Sequence, residues 1–86
     1  MELANKIIVV LNASGIKIYH SDFEVTPTGN IGGILISEVF QGMDETARQE
    51  LVWSKLKLKL TEDERRHIVS LITVTPDEEK MFKQEV

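Results

Sequence analysis

The chain has 86 residues, a formal net charge of −4, 42% hydrophobic residues and no cysteine. Compact domains usually hold about 100–150 residues, so a single domain over 1–86 is expected, with one core that needs no disulfide or structural metal. The missing cysteine excludes a disulfide framework and any thiolate site built from this chain alone, and the negative balance opposes non-specific attraction to nucleic acid or anionic membrane.

No apolar run approaches the ~20 residues that cross a bilayer. The opening Met1-Glu2-Leu3-Ala4-Asn5-Lys6 lacks the basic region and small-residue cleavage site of a signal peptide, so a cytoplasmic protein without membrane association is expected. Leu3, Ile7 and Leu11, with Ala4 and Ile8 beside them, repeat at the i, i+4 spacing of one helical face. Ser14-Gly15 then supplies a stop, which places a first helix over 2–13. Ile16-Lys17-Ile18-Tyr19 alternates and is rich in β-formers, so a first strand is expected to start there and run as far as Val25. Turn chemistry follows in Thr26-Pro27-Thr28-Gly29-Asn30. A second strand is expected over Gly33–Phe40, with apolar residues at both parities as suits a central strand.

Gln41-Gly42 breaks that strand, and Asp44 suits the N-cap of a helix over 45–60. Within it Trp53 to Leu60 alternates like a strand, but lysine and leucine are good helix formers and no β-branched residue occurs there, which favours helix. Thr61 and Glu64 form a capping box for a short helical turn ending near Arg66. His67 precedes a β-branched third strand, Ile68 to Val74. A second capping box, Thr75-Pro76-Asp77-Glu78, opens a last helix over 76–84. The order α-β-β-α-α-β-α implies an α+β fold. Strands one and two pair as a hairpin, and a right-handed helical crossover sets strand three parallel to strand two. The product is a three-stranded mixed sheet covered by helices on one face.

Ser37 and Phe40 stand three residues apart at the end of strand two. Phe40, Gly42, Arg48 and Val52 keep the spacing of a pattern F-x-G-x-S-x-x-x-R-H-R-x-V, and His67 is followed by Thr75, Pro76 and Glu78 as a histidine opening strand three and then T-P-x-E. On these residues the chain resembles the BolA-like family, whose αββααβα fold is related to the class II KH fold. The match runs without gaps from Ser37 to Glu78, about half the chain. Asp44, Gln49 and Glu50 depart from the serine, histidine and second arginine of the pattern, which removes positive charge from the start of helix two.

The resemblance implies a non-enzymatic adaptor that binds a monothiol glutaredoxin and shares a [2Fe-2S] cluster with it, in iron–sulfur trafficking or sensing. His67 would be the ligand from this chain. A neutral imidazole can replace thiolate on iron, and a protonated one cannot ligate. From the residues alone, His67 reads first as a half-buried histidine that hydrogen-bonds the adjoining turn, and the resemblance turns that preference toward the ligand. Relatives often add a cysteine or histidine from the loop between strands one and two, whereas Val25 to Ile31 contain neither. His20 is the other histidine and the remaining ligand candidate. It shares parity with Ile16 and Ile18, so an unbroken strand would turn it toward the core, and a bulge or early strand end would turn it outward.

Arg48, Lys55 and Lys59 fall in one stripe of a helix at ~100° per residue, and Arg65 and Arg66 adjoin His67. Arg48, Arg65 and Arg66 are candidates to dock an acidic partner or phosphate; the competing reading is a solvated face partly cancelled by Glu62, Asp63 and Glu64. Trp53 is either a partner anchor, as tryptophan often is at interfaces, or core packing. Gly29-Asn30-Ile31-Gly32 spells the G-x-x-G of KH domains but joins two strands and reads as hairpin chemistry. The competing function class is a nucleic-acid-binding transcriptional or stress regulator using segment 44–66. A third reading keeps protein contact alone, without the cluster. There is no P-loop, dinucleotide fingerprint or HExxH to suggest catalysis. In isolation a monomer or weak dimer is expected.

Overall fold

A computed structural model describes residues 2–84. Helix α1 spans Glu2–Ala13. It ends in a Schellman motif: Ile16 N donates to Leu11 O and Gly15 N to Asn12 O, with Gly15 at φ +90°. Leu11 and Ile16, at the two ends of that motif, both enter the core. Ile18 is held to the helix rather than to the sheet, for its N donates to the Asn12 side chain at 2.9 Å. The first strand, β1, is therefore His20–Val25 and not a run from Ile16.

Strand β2 is Ile31–Ile36, two residues earlier than expected at its start and four at its end. Ser37 stops it. Its amide closes the ladder on Val74 O, and its hydroxyl accepts from Val39 N, starting a single 3₁₀ turn over Glu38–Phe40. Helix α2 is Glu45–Lys59, with Asp44 accepting from Ala47 N as N-cap. Its buried residues Arg48, Val52 and Leu56, continued by Leu60, recur every fourth position, and the lysines between the leucines stay outside. Helical periodicity wins over the apparent alternation, leaving Leu58 77% exposed. Helix α3 is Glu62–Arg66, strand β3 Ile68–Val74 and helix α4 Pro76–Gln84.

The sheet order is β1-β2-β3, antiparallel for the first pair and parallel for the second. Ile31, Leu35, Ile68 and Leu71 face a core completed by Ala4, Ile7, Val10 and Leu11 of α1, by Phe40, and by Val52, Leu56 and Leu60. Between β1 and β2 the Phe23 ring lies so close over Gly33 that a β-carbon there would meet it at 2.5 Å, which explains a glycine in mid-strand. The opposite face is open over most of its length: Asp22, Ile34 and Ile72 share one cross-strand row and all three are exposed. Only toward the far end of β2 and β3 is it closed, where Ile36 and Val74 are buried. Among the described residues no helix is long and apolar enough to cross a membrane.

Candidate functional site

His67 sits at the end of α3, just before β3. Its own carbonyl accepts from Ile31 N at 2.7 Å, which ties the turn to the start of β2. The imidazole is half-buried, and Nδ1 lies 2.9 Å from Asp63 O. A carbonyl only accepts, so Nδ1 carries the proton and, in the neutral ring, Nε2 keeps a free lone pair. Nε2 has no hydrogen-bond partner among the described residues, and no side-chain nitrogen or oxygen without a partner is buried. The free nitrogen is therefore open to solvent, at a recess lined by Leu3, Lys6, Asp63, Glu64 and His67. A backbone carbonyl that fixes the tautomer and orients the other nitrogen is the arrangement usual behind a metal-bound histidine.

The recess is framed by a fixed ion pair. Lys6 Nζ from α1 reaches both Glu64 carboxylate oxygens, at 2.9 and 2.7 Å, and Glu64 also accepts from Thr61 N in the capping box. The hydrogen bond from Lys6, followed by that from the Thr61 amide, lowers the Glu64 carboxyl from its ordinary value. The hairpin loop lies at the same end of the sheet, since Val25 pairs with Ile31 and Ile31 with Ile68. Its polar atoms are turned on one another: Thr26 Oγ1 contacts Thr28 Oγ1 at 3.0 Å and accepts from Asn30 N.

His20 is at the other end. It is exposed and pairs with Ile36, which pairs in turn with Val74. Six residue steps along β3 separate that row from Ile68, a distance of about 20 Å at ~3.3 Å per residue. Its parity matches Asp22 and Glu24 on the open face, because the strand begins at His20 and carries no side-chain alternation over from Ile16 and Ile18. The two histidines thus cannot share one metal centre within a single chain. Among the described residues no group of three or more histidine, cysteine, aspartate or glutamate side chains could hold a metal ion.

The cations expected at a docking face are largely committed inside the molecule. Arg48 is 8% exposed. Its Nε donates to Met43 O, Nη1 to Thr73 O and to Glu78 at 2.8 Å, and Nη2 to the other Glu78 oxygen at 3.2 Å. It is a lock between α2, β3 and α4, and the expectation of a partner-facing Arg48 is corrected. The error came from grouping it with Lys55 and Lys59 when it also continues the stripe of Val52, Leu56 and Leu60. Arg65 is half-buried and caps the end of α2 through Lys57 O and Leu60 O. Arg66 is exposed and pairs only loosely with Glu62, at 3.5 Å. Trp53 packs half-buried against the core and donates Nε1 to Gln49 Oε1.

The remaining motif residues are structural as well. Ser37 is fully buried, and its hydroxyl donates to Lys17 O. Phe40 and Val52 are wholly inside. Gly42 adopts φ +77°, a region that L side chains rarely adopt. Thr75 is buried and accepts from Glu78 N, while Glu78 accepts from Thr75 N in return. Pro76 opens α4. The hydrogen bond from Arg48, then that from the Thr75 amide, lowers the Glu78 carboxyl, and the same carboxylate raises Arg48.

Gln49, one of the departures from the motif, holds a structural position. Its Nε2 donates to Leu71 O at 2.7 Å. Since Val74 O turns toward β2, alternation turns the carbonyls of Thr73 and Leu71 to the free edge of β3, where Arg48 and Gln49 respectively occupy them. A glutamine one turn before a tryptophan partner gives no such signal in sequence.

A hairpin followed by a parallel third strand, with the element order αββααβα, is the α+β architecture expected of a BolA-like protein. A solved structure, BolA1 from Arabidopsis thaliana, superposes with a TM-score of 0.66 over 88% of this chain and 94% of that one, at 22% sequence identity. The protein therefore has the BolA-like fold that its motifs imply. No family model matches the sequence, and no curated protein matches it.

Proposed function

We propose that this protein is a divergent BolA-like adaptor, non-enzymatic and acting in a reducing compartment such as the cytoplasm, that binds a monothiol glutaredoxin and lends His67 as one ligand of a shared [2Fe-2S] cluster. The observation that carries the reading is the imidazole with Nδ1 held by Asp63 O and Nε2 open to solvent. Asp63 O keeps the lone pair of Nε2 directed outward, and the Lys6–Glu64 pair braces the short helix that presents the ring. Leu3 gives the recess an apolar wall.

The fit is to a shared site. This chain has one suitably presented nitrogen there and no cysteine, so the other ligands come from the partner and its thiol cofactor. Bound through an imidazole in place of a thiolate, an iron–sulfur cluster has a raised reduction potential. The chain's own part is to orient one neutral nitrogen and to supply a docking rim.

The test is anaerobic mixing with a cluster-loaded monothiol glutaredoxin, followed by visible absorption and circular dichroism. A changed cluster spectrum with wild type and with His20→Ala, absent with His67→Ala, is expected. An unchanged wild-type spectrum, or an equal change with His67→Ala, overturns the role of His67.

A further inference from the structure

The uncovered sheet face is a groove of ≈ 370 Å³ with two unlike walls and a glycine floor. Asp22 and Glu24 of β1 form one wall; both are exposed and neither side chain has an ion pair or hydrogen bond among the described residues. Gly32 lies between Glu24 and Ser70, so no side chain fills the floor there. The other wall is apolar. Ile34 is 38%, Ile72 52% and Val69 66% exposed, and Val69 is the extra residue of a register shift that turns it over the groove. No lysine, arginine or histidine lines it.

We propose that this face docks a lysine- or arginine-bearing amphipathic helix of a partner protein, independently of His67. A sheet face that carries apolar residues is stably buried against a helix or another sheet, and Ile34, Val69 and Ile72 give this face that character. From Thr26 to Asp22 the groove runs about 13 Å at ~3.3 Å per residue, which accommodates about two and a half helical turns. The walls specify the occupant: apolar side chains to meet Ile34, Val69 and Ile72, and cations beside them to meet Asp22 and Glu24. A second copy packed symmetrically on the same face would set the carboxylates against each other or against the apolar wall, with no cation in the lining to pair them, and phosphate-bearing ligands are repelled by them. Entry of a partner as an added strand at β3 is obstructed, because Arg48 and Gln49 already fill the edge carbonyls of Thr73 and Leu71.

The probe is a synthetic 14-residue helical peptide with leucines on one face and flanking lysines, titrated into the ¹⁵N-labelled full chain, beside a control with glutamates for the lysines. Amide shifts concentrated at Gly32, Ile34, Ser70 and Ile72 are expected for the lysine peptide alone. Asp22→Asn with Glu24→Gln is expected to weaken it roughly fivefold at low salt, less at high salt. Ile72→Ser weakens it at every salt concentration. All three positions are exposed, and unchanged circular dichroism confirms that the variants fold. Shifts that map elsewhere, equal response to both peptides, no response up to millimolar peptide, or a dimer that already covers these amides would each overturn the proposal.

Discussion

Two corners of this molecule use polar side chains to opposite ends. At the α2–α4 junction, Arg48, Glu78 and Thr75 turn their hydrogen-bonding groups on one another and on the backbone, with the guanidinium buried. At the α3–β3 junction, His67 spends one nitrogen on Asp63 O and leaves the other open. Most of the motif residues belong to the first kind of corner. A spacing pattern of this sort therefore identifies a scaffold, while a free lone pair is left at the residue whose bonding is incomplete.

The comparison is most severely tested at Arg48. Arg48→Met removes bonds to Met43 O, Thr73 O and Glu78 and leaves those acceptors to find water. A loss of about 3 kcal/mol is expected in urea unfolding, at the low end for a buried pair because Glu78 is partly exposed. The spectral response of any cluster complex should persist wherever the variant stays folded. Loss of that response from folded Arg48→Met would merge the two corners into one site.

Ser37→Ala should cost about 1–2 kcal/mol, since its hydroxyl both donates to Lys17 O and caps Val39 N from a buried position. Amide exchange is expected to rise first at Val39 and Phe40. Equal stability of the variant would mean that the backbone alone ends β2 at this point.

Acid sharpens the same contrast. The Glu78 carboxyl is lowered below its ordinary value of 4.5 by Arg48 and then by the Thr75 amide. The unfolded chain thus takes up protons more readily there, so this stabilisation is complete above the ordinary value and lost as pH falls through the lowered one. Glu64 behaves likewise through Lys6 and the Thr61 amide. Glu78→Gln should flatten the loss of stability with falling pH below about 4.5, and high salt should affect Glu64 more, because its pair with Lys6 is the more exposed. An unchanged acid slope in Glu78→Gln would count against the ion pair.

What was legible in the sequence was what is settled locally. Both capping boxes, the Asp44 cap and the helix stops depend on neighbours within a few residues, and the structure has them as read. The start of β1 was misplaced because Ile16 serves the end of α1, and Ile18 N is taken by the Asn12 side chain. Arg48 and Gln49 escaped because their partners on β3 and α4 lie 22 to 30 residues away in the chain. The i+4 series Arg48, Val52, Leu56, Leu60 was the available sign of a buried arginine. The departures Asp44 and Gln49 lose basic or hydroxyl character yet keep structural work, one as a cap and the other on the β3 edge.

The smallest expected effect is the most informative. His67→Ala removes only the contact with Asp63 O at the end of a short helix, while its backbone bonds to Glu64 O and from Ile31 N remain. Surface changes of this kind usually stay within about 0.5 kcal/mol, so urea unfolding should barely distinguish the variant from wild type. In wild type, long-range ¹H–¹⁵N spectra of the neutral ring should show the proton on Nδ1 of His67. A proton on Nε2 would mean that the lone pair points at a carbonyl, a clash that forces the turn to rearrange and removes the ligand geometry. A His67→Ala chain that is fully stable yet silent toward a cluster-loaded partner separates scaffold from site within one protein, whereas a large stability loss would return His67 to the scaffold.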